Sequence, residues 1–530
     1  MTVLKESEEL ILPLSPINTD EPKKCLEEFI GMRWYALRVY TASSLIILST
    51  VMVIVFMVYA GATPSVRGCG SRMFSQPEDQ KLACKWLHEL RSNGSDCKPI
   101  LDYQFESVNI QFDLICNDAI TVKTSTSWQM FAILIGAFVF GQLSDFYGRR
   151  KVMLVALSGM MFGSLAVPLS KSFHVFFLLR LVVGFFAGGT SAVHGVYIIE
   201  HSKKDHRMLI SNVVTWSPNF AIAPIIAYFA HDWRMLSFFS AVVNLIAFTF
   251  LIFSFESPRF LIQKGRIEEA RRVLAAIRWI NGDKCPIRST QVDEMLQIEK
   301  EKYAGQTSKR KYTYLDLFRS SDLLKYTLVI GFGVTVTSLQ NYGIMFNTEK
   351  ISGSIYVNGF FFGAIRWMVN LVIGYLDVKY PGCTRKRVAS FSKTFNLICL
   401  SAIIVIFALG VQQSFSLVIR IASIIIFVFC GPIFTSMFLA CTELYPTSVR
   451  NVGSSFQSMS ARVGTIFGTT VFILGEIHMT IPYTILAVLL VVDLFLFQCN
   501  IPETKGVELK DHIVKKASKC QEKCTEETIA

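Results

Sequence analysis

Charge is what this chain has least of for its size. Asp, Glu, Lys and Arg make up 17% of 530 residues, while 52% are hydrophobic. A soluble globule that large needs more polar surface, so a soluble fold is excluded. Zinc-ligand spacing, a Gly-rich phosphate loop and an HExxH pair are missing. Without a catalytic triad, metal set or cofactor loop, no enzyme, no cofactor and no metal is expected. Residues 1–35 are polar apart from an apolar patch at 10–14 and show no cleavable signal pattern. The first apolar span is therefore expected to act as its own insertion signal. The net charge of +12 does not imply nucleic acid, because Lys and Arg lie in short connections between apolar runs. That is the positive-inside arrangement of a polytopic membrane protein.

Long apolar runs are what the chain does have. A bilayer core takes roughly 20 apolar residues per helix. Spans are predicted at about 40–60, 127–144, 151–170, 174–199, 208–230, 233–254, 326–347, 354–376, 388–410, 416–440, 453–475 and 481–499. Their sum is an all-α membrane protein of about twelve transmembrane helices, expected in the plasma membrane with both termini cytoplasmic. Residues 1–35 and 501–530 read as cytoplasmic tails. The first six-helix half covers 36–255, a basic cytoplasmic linker 256–325, and the second half 326–500. The polar segment 61–124 reads as an extracellular loop. It carries Cys69, Cys84, Cys97 and Cys116, an even set that implies two disulfides with three possible connectivities. Asn93 heads a glycosylation sequon on the same loop.

The charged punctuation of the two halves repeats. Glu200 precedes Arg207 by seven residues just after one span, and Glu443 precedes Arg450 by seven just after another. At nearly the same offset, Glu256 is echoed by Glu503 and Arg180 by Arg420. The turn Gly141 to Arg150, between the second and third spans, has a stretched counterpart from Asp377 to Arg387. A duplicated six-helix unit places a binding site near the midplane, between two pseudo-symmetric halves.

These motifs resemble the major facilitator superfamily. Gly141 to Arg150 is similar to its loop motif, and Arg180 to Gly188 to its RxxxGxxxG motif on the fourth helix. More narrowly the chain resembles the organic-ion transporters of solute carrier family 22. The carrying stretches are Glu106 to Cys116, Asp232-Trp233-Arg234, Glu256 to Leu261, and Glu443 to Gly453. Sugar porters share part of this set, but no QQxxGxN of their kind stands on the seventh span. The resemblance implies a lock on the cytoplasmic side formed by Asp145, Gly148, Arg149, Arg150, Glu200, Arg207, Glu256, Arg259, Glu443, Arg450 and Glu503. In the stretched Asp377 to Arg387 turn the second copy of that lock is expected to be weaker. The resemblance also gives Arg180 a structural role, with Gly184 and Gly188 allowing close helix packing.

Intramembrane charge points to the cargo. An arginine at mid-bilayer costs about 2.5–3.5 kcal/mol on insertion scales, so it faces a cavity or a partner. Arg462 lies in the first half of the eleventh span, where the resemblance links arginine to anion and zwitterion carriers. Arg366 lies in the eighth, with Asn370 one turn below on the same face. Neither span offers a mid-span carboxylate; Glu476 is at a helix end and Asp493 on the twelfth span, outside the expected cavity. Guanidinium suits carboxylates and sulfates. Tyr342, beside Asn341 on the seventh span, and Trp216, before Pro218 on the fifth, are further candidates for the cavity wall. The expected activity is alternating-access transport of small organic anions or carboxylate-bearing zwitterions, with an ion or exchanged solute as a possible partner. The alternatives are an organic cation transporter of the same family and a non-transporting membrane sensor.

Overall fold

The computed structural model describes residues 34–70, 72–74, 80–92, 97–201, 215–282, 296, 314–348, 351–380, 382, 384–445, 449–476 and 478–504. Asn93, Arg207, the start of the predicted 208–230 span, most of both tails and most of the linker lie outside them, as does the side chain of Arg450.

Twelve helices of 15 to 29 residues stand among the described residues. They are α1 (Trp34–Ala60), α2 (Ala119–Tyr147), α3 (Arg149–Ala166), α4 (Phe173–Glu200), α5 (Trp216–Ala230), α6 (Trp233–Ile252), α7 (Ser321–Phe346), α8 (Ile355–Lys379), α9 (Arg385–Ala408), α10 (Ser416–Leu444), α11 (Arg450–Val471) and α12 (Thr480–Asn500). Ten are long and apolar enough to cross a bilayer by composition. The other two are α5, of which 15 residues are described, and α11, which is rich in Ser, Thr and Gly. Several helices outrun their apolar stretch. α1 begins at Trp34, α2 takes in 119–124 from the predicted loop, and α7 takes in 321–325 from the predicted linker. Hydropathy locates the membrane-facing part of a helix, whereas backbone hydrogen bonding continues into polar flanks.

The sequence repeat is a repeat of packing. In the first half α1 packs on α4, α5 and α6, α4 on α2 and α3, and α3 on α6. In the second half α7 packs on α10, α11 and α12, α10 on α8 and α9, and α9 on α12. Each of these six first-half pairs recurs six helices later. The halves meet through α2 against α11 and α5 against α8, two contacts that the same symmetry exchanges. Arg180 and Arg420 also match. Arg180 on α4 donates to Gln129 Oε1 on α2 at 3.0 Å and to the Val53 carbonyl on α1 at 2.7 Å, with its guanidinium 4.1 Å over the Phe56 ring. Arg420 on α10 donates to Asn358 Oδ1 on α8 at 2.7 Å.

One end of the bundle carries the cysteine-bearing segment. Strands β1 (Ser65–Cys69), β2 (Arg72–Met73) and β3 (Pro99–Asp102) form an antiparallel sheet in the order β2-β1-β3. A helix, Gln80–Ser92, packs Ala83 and Leu87 against Val66 and Ile115. The structure resolves the connectivity as Cys69–Cys97 and Cys84–Cys116. Two of the family-like stretches meet here. Glu106 pairs by its backbone with His231 and Trp233, and Trp233 Nε1 donates to Gln111 Oε1 at 2.9 Å. Gln104 reaches the other half, accepting from Ile355 N at 2.8 Å and donating to the Gly353 carbonyl at 3.1 Å.

Helix contact in lipid depends on small residues, because burial of apolar area gives little drive between helices there. At Gly188 on α4 a Cβ would overlap the Ile133 carbonyl of α2, and at Gly184 it would meet the Gln129 carbonyl at 3.0 Å. Gly195, further along α4, faces open space. Gly188→Val is therefore expected to destabilise the protein by about 1–3 kcal/mol, read as a lower melting temperature in detergent, while Gly195→Val leaves it unchanged.

Candidate functional site

At the end of the bundle opposite the cysteines, α2 stops and α3 starts at Gly148, whose φ of 110° is open to glycine. A Cβ there would also come within 2.5 Å of Glu256 Oε2. Glu256 follows α6 and folds back to cap α3, accepting from Arg149 N at 2.9 Å and Arg150 N at 3.1 Å. A carboxylate satisfies the unpaired first-turn donors and complements the helix dipole. Arg149 is buried beside it. Its guanidinium pairs with Asp145 at 2.6 Å and Glu200 at 3.4 Å and lies 4.9 Å over the Phe260 ring. Arg150 ties α3 to the end of α6 through the Leu251 and Ile252 carbonyls. Arg259 opens the short helix Pro258–Gln263 capped by Ser257. Nearby, burial holds the His201 imidazole down at about 4, so it is neutral at physiological pH and donates from Nδ1 to the Tyr197 carbonyl.

The second half carries a copy of this arrangement with longer contacts to its two glutamates, in line with the expectation of a weaker one. Arg385, at the start of α9, pairs with Asp377 on α8 and lies 3.7 Å from Glu443 on α10. Glu503 accepts from Lys386 N at 3.3 Å, as Glu256 does for α3. Among the described residues the same kinds of partner recur, across a longer turn. Arg385 falls in the stretched copy of the motif but is not among the expected lock residues, because the aspartate-to-arginine spacing is four residues in the first half and eight in the second. Between the two end networks, in the second half, a buried pair also went unread: Lys393 Nζ on α9 lies 2.9 Å from Asp493 on α12, with both side chains fully enclosed. A lone lysine in an apolar run was the signal for it.

Mid-bundle, the predicted cargo residues fall into two groups. In one, Arg366 on α8 is buried and donates to Asn341 Oδ1 on α7 at 2.6 Å. Its guanidinium lies 5.1 Å over Phe427 of α10, whose ring meets Phe220 of α5 edge-on at 5.9 Å. Trp216 stands 6.5 Å from Phe220, so an aromatic chain runs from one half to the other. Asn370 Nδ2 donates to Ser217 Oγ on α5 at 3.2 Å. Tyr342 stacks on Phe346 at 6.2 Å along α7. In the other group, Arg462 on α11 donates to Ser191 Oγ on α4 at 3.1 Å. Among the described residues neither arginine has a carboxylate partner. Ser191, Ser217, Phe220 and Phe427 were not singled out from sequence, since small hydroxyls and phenylalanines are common in any span.

The sequence model of the sugar (and other) transporter family matches residues 43–513. The chain belongs to that family, within the major facilitator superfamily. This membrane transporter has curated relatives in solute carrier family 22, as its motifs implied. It is 27% identical to the mouse organic cation/carnitine transporter 2 over 78% of this chain and 72% of that one. It is 28% identical to zebrafish solute carrier family 22 member 6, over 83% and 75% respectively. Its fold is similar to that of the E. coli proton:xylose symporter XylE, with a TM-score of 0.61 at 14% identity, covering 90% of this chain and 98% of that one.

Because each half sets one arginine against an aspartate and a glutamate, Arg385→Ala is expected to slow transport as Arg149→Ala does, at unchanged surface expression. Flux measurements on matched amounts of surface protein check this; a wild-type rate in Arg385→Ala alone would deny the second network an equal part.

Proposed function

We propose that the transporter carries small organic anions, or zwitterions bearing a carboxylate, across the plasma membrane by alternating access. In this reading the cysteine-bearing end faces outward and the two arginine–carboxylate networks face the cytoplasm. The observation that carries it is the pairing of Arg366. A guanidinium enclosed by helices and aromatic rings, with only a neutral amide as its described side-chain partner, leaves positive charge for a ligand to balance. Arg462 adds a second guanidinium with a neutral partner at the junction of the halves. Arg149, Glu200, Glu256, Arg385, Glu443 and Glu503 then act as the inner lock, holding charged hydrogen bonds in one state that break in the other.

Organic cation transport is the second reading. The printed names of the mouse relative and of a Drosophila relative, an organic cation transporter protein 28% identical over 71% of this chain, favour it. The aromatic chain from Trp216 to Phe427 suits a cation as well as a bulky anion.

Uptake of labelled benzoate, L-carnitine and tetraethylammonium, by wild type and Arg462→Ala at equal surface expression, separates the two. The anion reading expects carboxylate uptake to fall at least about tenfold in Arg462→Ala, the loss of one charge-assisted contact. Strong tetraethylammonium uptake untouched by Arg462→Ala would replace it with the cation reading.

A further inference from the structure

The contact that Arg462 makes with the first half has a fixed polarity. Its Nη2 donates to Ser191 Oγ at 3.1 Å, and the Ser191 hydroxyl proton is itself given to the Gly188 carbonyl at 2.9 Å. The serine therefore shows its lone pairs to the guanidinium. It is a neutral acceptor standing where a charge would bind better, at a half-exposed arginine of mid-helix α11. Asn370 and Ser217 repeat the theme, with an amide donor from the second half on a hydroxyl oxygen of the first. A carboxylate oxygen brings a full negative charge to the guanidinium, which the neutral hydroxyl cannot.

Resting on the anionic-substrate reading above, we propose that Ser191 Oγ holds the place of a substrate carboxylate oxygen on Arg462. Two effects follow from this one contact. The serine competes with substrate and so sets affinity. Its displacement also removes a tie between α4 and α11, so an occupied site lacks a contact between the halves that the empty site has. Ser191 is then a specificity-determining residue, tuning the site toward ligands that offer an anionic oxygen.

The test is uptake kinetics of whichever carboxylate, benzoate or L-carnitine, wild type moves, for Ser191→Ala, Ser191→Thr and Ser191→Asp at measured surface expression. Ser191→Ala removes the competitor and is expected to lower KM about twofold to tenfold, the worth of one net hydrogen bond. Ser191→Thr keeps the acceptor and the wild-type KM. Ser191→Asp tethers a carboxylate on Arg462 and is expected to raise KM about tenfold or more. A role in packing alone would lower the maximal rate or expression in Ala and Asp variants without moving KM in opposite directions. If wild type moves a carboxylate in an Arg462-dependent way and KM is the same in all variants, or rises in Ser191→Ala, this inference fails alone. If wild type moves neither carboxylate, the anionic-substrate reading fails and this inference falls with it.

Discussion

A guanidinium taken out of water must find compensation, and this constraint orders the molecule. The transporter meets it in three ways. Arg149 and Arg385 are paired with carboxylates at one end of the bundle. Arg180 is spread over a carbonyl, an amide and an aromatic face, where it joins α1, α2 and α4. Arg366 and Arg462 have neutral partners only, among the described residues; Arg366 is enclosed by α7, α8 and α10, and Arg462 reaches across to the first half. The first kind suits a lock, the second a brace, and the third a site awaiting a counter-charge. The same side chain serves all three because its fork of donors accepts carboxylates, carbonyls and hydroxyls alike.

The duplication gives the two end networks their symmetry. Each half caps its third helix with a glutamate drawn from beyond its sixth, Glu256 for α3 and Glu503 for α9. Each also sets one arginine against an aspartate and a glutamate. The turn in the second half tolerates extra residues because the interaction is carried by side chains at helix ends, not by the loop between them. Loop length costs little once the ends are placed. The second half adds Lys393–Asp493 between α9 and α12, a fully enclosed pair; at the matching α3–α6 contact the described residues show Asn244 on Ser164 instead.

The fold was legible in the sequence because a bilayer leaves few choices. Apolar runs of bilayer length can only be helices, and the charged turns between them mark where each ends. Helix ends were less legible, since α2 and α7 continue through polar residues that hydropathy counts as loop. Arg180, Arg366 and Arg462 stood out because charge in an apolar run is conspicuous. Their partners did not: Asn341 could be suspected from its neighbours, but Ser191 and Ser217 differ in no way from other small residues until the helices are brought together. Arg385 was hidden by a change of spacing, and the disulfide connectivity by the equivalence of four cysteines. In each case the missing information was which helix faces which.

Under the anionic-substrate proposal, the unbalanced positive charge of Arg366 and Arg462 selects the cargo. Equilibrium binding of matched carboxylates and amines, identical in skeleton and opposite in charge, to the purified transporter tests it most directly. The carboxylates are expected to bind, and the amines not to compete with them. Amines binding more tightly than their carboxylate twins would contradict it.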